Sequence, residues 1–177
     1  MDIQAQKEML NQLAIKHSSS QVENYKDSIF LPYITLTNAK GKGMMMEEFF
    51  EWYLNELGIE TELKKSNENY DFLIRQKLKV ELKVASIGVR DKVSFNQIHF
   101  GKDKEIDKFL FVIIKPNDTI DFFLVPKEDF VKGKIKVQKQ HGKDTTQCAR
   151  IFDTYNKIIL SLASYRVDVD KLSANLI

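Results

Sequence analysis

Asn69-Tyr70-Asp71-Phe72-Leu73-Ile74-Arg75-Gln76-Lys77-Leu78-Lys79-Val80-Glu81-Leu82-Lys83 reads as two short strands joined by a turn at Arg75-Gln76-Lys77. Alternate residues of a strand share a face, so Glu81 and Lys83 project together while Val80, Leu82 and Val84 project the other way. If Tyr70 to Ile74 pairs with the second run, Asp71 comes beside Glu81, and two carboxylates and one ammonium share a small site. Carboxylate oxygens suit a hard cation such as Mg²⁺, which keeps several waters for substrate phosphates to replace. A lysine held there orients or helps deprotonate an attacking water, and the metal offsets charge growing on phosphorus oxygens. An Asp and a Glu-x-Lys on a hairpin are, taken alone, ordinary solvated charge, so the surrounding order of elements has to decide.

Composition allows one domain with a proper core: 177 residues, 43% hydrophobic and 29% charged, with a net charge of +2. That charge points to no partner unless the basic residues cluster. Cys148 is the single cysteine, which excludes a disulfide framework or a cysteine-based zinc site within one chain. No apolar run is long enough to span a bilayer, and the first residues lack the basic-then-apolar order of a signal peptide. The expectation is an intracellular, cytoplasmic protein of prokaryotic type with no membrane partner.

Residues 1–37 read as a helical lead-in. Met1 to Lys16 forms one helix, a second runs over Gln21 to Phe30, and Pro32 ends it. Asn38 to Gly43 reads as a glycine-containing turn, followed by a helix over Met44 to Leu57. Its apolar positions Met46, Phe49, Phe50, Tyr53, Leu54 and Leu57 recur at helical spacing, Trp52 counts as core, and Gly58 stops the helix. Glu47 and Glu51 lie one turn apart on its flank, where ordinary solvation would also place them. Ile59 to Lys65 is strand-like. Lys108 to Pro116 and Ile120 to Pro126 are short apolar runs suited to central strands.

A helix with an early Glu, a strand, a strand carrying Asp and a strand carrying Glu-x-Lys resemble the PD-(D/E)xK nuclease superfamily, the fold of most type II restriction enzymes. Asp71, Glu81 and Lys83 carry the likeness, with Tyr70 where the family has a nominal proline. The run from Gly43 through Glu47 to Gly58 is similar to the first core helix of Mrr-like restriction endonucleases, which aligns Glu47 with the helix acid that leans into the site. Ser94 to Phe100, with Gln97, resembles a Phe/Gln/Ile segment that precedes two core strands in several such enzymes. The likeness covers roughly residues 40–130.

It implies an α/β, restriction-endonuclease-like core, a central mixed β-sheet flanked by helices, with N- and C-terminal helical additions. It also implies a Mg²⁺-dependent endodeoxyribonuclease that cuts double-stranded DNA and leaves a 5′-phosphate. Asp71 and Glu81 would hold the metal with the Leu82 carbonyl as a further ligand, Lys83 would position or activate water, and Glu47 would assist. Gln97 would contact phosphate or the lysine, or else satisfy backbone in a turn.

Residues 131–177 hold the remaining expectations. Lys132, Lys134, Lys136 and Lys139 alternate with small or apolar residues, which in a strand puts ammonium groups on one face for phosphates, or else protects an edge strand. Gln140 and His141 belong to a polar stretch suited to reading base edges. Asp144 or Thr145 caps a long final helix from Cys148 to Tyr165, with Cys148 buried on its apolar face. That helix or the N-terminal one can form a homodimer. A structure-specific nuclease of the same superfamily, such as a Holliday-junction resolvase or repair nuclease, stays open. So do a non-cleaving DNA-binding module and a subunit that works with a companion methyltransferase or larger protein.

Overall fold

The period-two pattern of Leu78 to Ser86 produces the longest strand of the molecule, and the rest of the main sheet assembles around it. The computed structural model describes Met9 and residues 20–64, 69–142 and 144–176. Apart from Met9, the expected helix over Met1 to Lys16 lies outside these residues. The described helices are α1 (Ser20–Asn24), α2 (Leu31–Thr35) and α3 (Ala39–Glu56). Six strands, β1 (Thr61–Leu63), β2 (Phe72–Ile74), β3 (Leu78–Ser86), β4 (Lys92–Ile98), β5 (Lys108–Ile114) and β6 (Ile120–Pro126), come next. Then follow α4 (Lys127–Val131), β7 (Gln138–Lys139), β8 (Ala149–Thr154), α5 (Tyr155–Ser161), β9 (Arg166–Val167) and α6 (Val169–Asn175).

The main sheet has the order β1-β2-β3-β5-β6-β9, with β3 and β5 parallel and every other pair antiparallel. The protein is therefore mixed α/β, a central mixed sheet flanked by helices. The parallel pair arises because the chain leaves the sheet after β3, runs through β4 in a second sheet of order β4-β8-β7, and returns as β5.

Residues of β5 and β6 are buried on both faces, which is why they read as unbroken apolar runs. On one face Val80, Leu82, Leu110 and Val112 pack against Met46, Phe50 and Leu54 of α3. On the other, Phe109, Phe111 and Phe123 pack against Val93 and Phe95 of β4 and Ile158 of α5. Phe95 meets Phe111 edge-on at 4.8 Å and Phe109 meets Phe130 at 5.0 Å, arrangements that ring quadrupoles favour.

The β2–β3 hairpin turns where the sequence places it. Arg75 (φ 50°) and Gln76 (φ 56°) both take left-handed backbone, and the Lys77 N–H closes the turn on the Ile74 carbonyl at 3.1 Å. Gly58, at φ 72°, ends α3 as expected.

Four expectations are corrected. The turn expected over Asn38 to Gly43 is instead the first part of α3, because the Asn38 side chain accepts the Lys40 N–H and caps the helix from Ala39. Pro32 opens α2, where its missing N–H costs nothing, and does not end a helix. Trp52 is 57% exposed, since the buried face of α3 follows Met46, Phe50 and Leu54 and Trp52 lies well round the helix from it. The long final helix is replaced by β8, α5, a short 3₁₀ turn, β9 and α6. In β8 Ala149 and Ile151 alternate into the core against β4, so pairing of an open strand edge overrides a pattern that also fits helical spacing. Cys148 is buried as expected, at the approach to β8. Among the described residues, no helix is long and apolar enough to cross a membrane.

Candidate functional site

The site lies where β2 is shorter than its neighbour. β2 pairs with β3 only as far as Val80, and the Asp71 N–H donates to the Val80 carbonyl at 3.0 Å. Beyond that point the Asp71 side chain takes over from the strand, with its Oδ2 accepting the Leu82 N–H at 2.8 Å. The N–H and C=O of one strand residue point to the same side, so the Leu82 carbonyl also faces the edge that β2 has vacated.

The expected parity of β3 holds. Glu81 and Lys83 share a face, and Lys83 Nζ donates to Glu81 Oε1 at 2.9 Å. A residue with no signal in the sequence completes this pair: Lys104, from the β4–β5 loop, places Nζ 3.7 Å from Glu81 Oε2. That loop is fixed at Lys104 from both ends of the residue. Its Nζ donates to the Asn69 carbonyl at 3.3 Å, and its own carbonyl accepts from Lys127 Nζ. Glu81, only 6% exposed, thus has a lysine on each oxygen.

A cleft of about 500 Å³ opens beside these groups, lined by Glu47, Lys40 and Lys42 of α3, by Asp71, by Leu82 and Lys83, and by Ser94, Asn96 and Gln97 of β4. The structure therefore brings Glu47, Asp71, Leu82, Lys83 and Gln97 around one space. Glu51, the other flank acid of α3, has a structural task instead, accepting the Leu63 N–H at 2.8 Å.

The electrostatics are those of buried acids close to one another. Burial pushes the Asp71 carboxyl up to about 7, Glu81 adds to the rise, and Lys83 opposes it. Glu47 is also raised, first by burial, with Lys83 opposing and Glu81 and Glu48 reinforcing. The Lys42 ammonium is held below its usual range by burial and lies 5.0 Å from the centre of the Tyr33 ring.

Gln97 sits in a β-bulge. Between Phe95↔Ile151 and Ile98↔Ala149, Asn96 and Gln97 stand opposite Arg150 alone, with Gln97 at φ 54°. Gln140 braces this bulge: its Oε1 accepts the Gln97 N–H at 2.8 Å and its Nε2 donates to Asn96 Oδ1 at 3.3 Å. In this structure the Gln140 amide acts as a strut for the bulge.

The lysine ribbon is not formed. Lys132 pairs with Glu128 at 2.7 Å, Gly133 turns the chain at φ 70°, and Lys134 pairs with Asp129 at 2.7 Å, so strand alternation is lost. Lys136 and Lys139 are exposed, and His141 occupies an exposed turn at φ 54°. None of these residues lines the cleft.

No family model matches the chain, and no curated protein does either. What the site can do rests on its own chemistry. Among the described residues, no group of three or more His, Cys, Asp or Glu side chains is arranged as a metal cage. Mg²⁺ asks for less, since it is held by one or two carboxylates and keeps waters and substrate oxygens as its other ligands. Asp71, Glu81 and the edge-facing Leu82 carbonyl are donors of that type, with Glu81 outside the cleft lining and carrying a lysine on each oxygen; the Asp71 carboxyl is raised first by burial and then by Glu81, and a nearby cation would lower it.

Proposed function

We propose that the chain is a Mg²⁺-dependent endodeoxyribonuclease of the PD-(D/E)xK kind, hydrolysing phosphodiester bonds in double-stranded DNA in the manner of a type II restriction enzyme. The observation that carries this reading is the junction of Asp71 with Leu82 beside the Glu81–Lys83 pair, next to one cleft lined by Asp71, Leu82, Lys83 and Glu47. Asp71, Glu81 and the Leu82 carbonyl would hold the ion. When bound, Mg²⁺ supplies a Lewis acid for the phosphate oxygens.

The side chains of the chain do the remaining work. Lys83 carries an ammonium within reach of the cleft, and its proton-bearing Nζ orients the attacking water and stabilises the developing negative charge. Lys104 holds Glu81 from the far oxygen, so the carboxylate keeps its place when Lys83 turns toward substrate. Glu47, with its carboxyl raised, accepts hydrogen bonds from waters on the helix side of the cleft. Cleavage leaves a 5′-phosphate.

The test is incubation of long unmethylated duplex DNA with the protein and Mg²⁺, beside EDTA, a Lys83→Ala variant and a four-way junction. Discrete fragments, lost in EDTA and reduced about 10³-fold in Lys83→Ala, are the expected result. Cleavage confined to the junction would replace sequence-specific by structure-specific action. DNA binding that needs neither Asp71 nor Lys83, with no nicking at any Mg²⁺ concentration, would replace the enzyme by a binding module.

A further inference from the structure

The small sheet has an outer face that meets the cleft only at one end. Directly opposed residues of antiparallel strands share a face. The registers Lys92↔Thr154, Ser94↔Phe152 and Gln138↔Arg150 therefore set these side chains outward, while Val93, Ala149 and Ile151 point to the core. Phe152 is 37% exposed, an unusual setting for a phenyl ring, and two cations lie over it: Lys92 Nζ and Arg150 Cζ are each 5.3 Å from its centre. Arg150 Nε donates to Gln138 Oε1 at 3.2 Å, which fixes the guanidinium plane from that side.

The acid that meets this group is Asp153, 3.9 Å from Lys92 and 3.5 Å from Lys157, so the cations outnumber it. Hydroxyl and amide groups fill the spaces between them, and Ser94 Oγ donates to Asn96 Oδ1 at 3.0 Å. Ser94 and Asn96 also line the cleft, so the face runs without a break into the candidate active site.

A positively charged strip with polar donors and acceptors, laid on a rigid sheet, fits a polyanion, and the major groove of duplex DNA admits a β-ribbon. We propose that the outer face of β4, β8 and β7 is the docking surface for duplex DNA, with Lys92 and Arg150 on phosphates and Phe152 holding both cations extended. The duplex passes over Ser94 and Asn96 to reach the cleft. This assignment rests on the nuclease reading for its purpose and on the register and charge of the small sheet for its location.

Binding is measured by fluorescence anisotropy with a labelled duplex and Ca²⁺ in place of Mg²⁺, on the Lys83→Ala protein. Arg150→Ala and Lys92→Ala are each added to it, with Lys171→Ala on α6 as the distant control. Each face variant is expected to weaken binding about 10-fold at low salt and to flatten the slope of log affinity against log salt by about 1, with Lys171→Ala unchanged. An Arg150→Lys variant that recovers part of the affinity would support a phosphate contact. Unchanged affinity in both alanine variants, or no binding of duplex by the parent protein, overturns the docking surface. If face variants lose binding while the wild type never cleaves, the nuclease reading fails and the docking surface stands. If the wild type cleaves and the face variants bind as it does, the reverse holds.

Discussion

Asp121 and Asp71 are both acids set into the main sheet, and they are treated in opposite ways. Asp121 on β6 is 3% exposed and surrounded by donors: Tyr155 Oη at 2.7 Å, an Arg166 guanidinium nitrogen at 2.8 Å and Lys115 Nζ at 3.2 Å. These contacts tie α5 and β9 to the sheet. Asp71 accepts the Leu82 N–H, and its carboxyl is raised first by burial and then by Glu81 and Glu47, with Lys83 opposing. Where cations and hydroxyls match a carboxylate, burial closes the structure. Where a carboxylate is buried beside other acids with a single backbone donor, its charged form is disfavoured, and a nearby cation favours it again. The first arrangement serves the fold, and the second is the one we propose for catalysis.

The largest effect on stability is expected at Asp121. Asp121→Ala leaves Arg166 and Lys115 without their acid, and is expected to cost about 3 kcal/mol, roughly a 6–12 °C fall in the unfolding temperature for a domain of this size. Cleavage by the folded fraction should be retained. A neutral result in thermal unfolding would put Asp121 in the same class as Asp71 and dissolve the contrast.

The opposite sign is expected at Asp71. Its carboxyl is raised to about 7 in the folded protein from 3.8, so between these values the folded state holds a proton that the unfolded state has lost. Stability without metal therefore falls as pH rises across that window. Asp71→Asn keeps an oxygen for the Leu82 N–H and removes the charge. It should raise metal-free stability at pH 8 by about 2 kcal/mol, about 5 °C, and flatten the pH dependence, as followed by thermal unfolding at several pH values. Destabilisation by Asp71→Asn at pH 8 would show that the acids in the cleft are not in excess.

The sequence made the cleft side of the molecule largely readable, because its signals are local. Parity in β3 places Glu81 with Lys83, the turn residues Arg75 and Gln76 set the hairpin, and the apolar runs of β5 and β6 declare central strands. Helical spacing finds α3 but not its start, which depends on one side-chain cap at Asn38. The C-terminal third misleads because Cys148, Ile151, Phe152, Tyr155 and Ile158 satisfy a helical period while Ala149 and Ile151 satisfy a strand period. Only the free edge of β4 decides between them. Lys104 and Gln140 reach their partners across 23 and 43 residues, the sequence gaps to Glu81 and Gln97, and nothing near either residue announces it. The alternating lysines fail as a ribbon because Glu128 and Asp129, one helix turn away, claim two of them.

The most direct test of the account is calorimetric titration of the metal-free protein with Mg²⁺ near pH 7, in two buffers of different ionisation enthalpy, beside Asp71→Asn. Binding by the wild type with release of a proton from the Asp71 carboxyl, and loss of both binding and release in the variant, are expected. Mg²⁺ binding of equal strength and without proton release in both proteins, or no binding to the wild type, would contradict it.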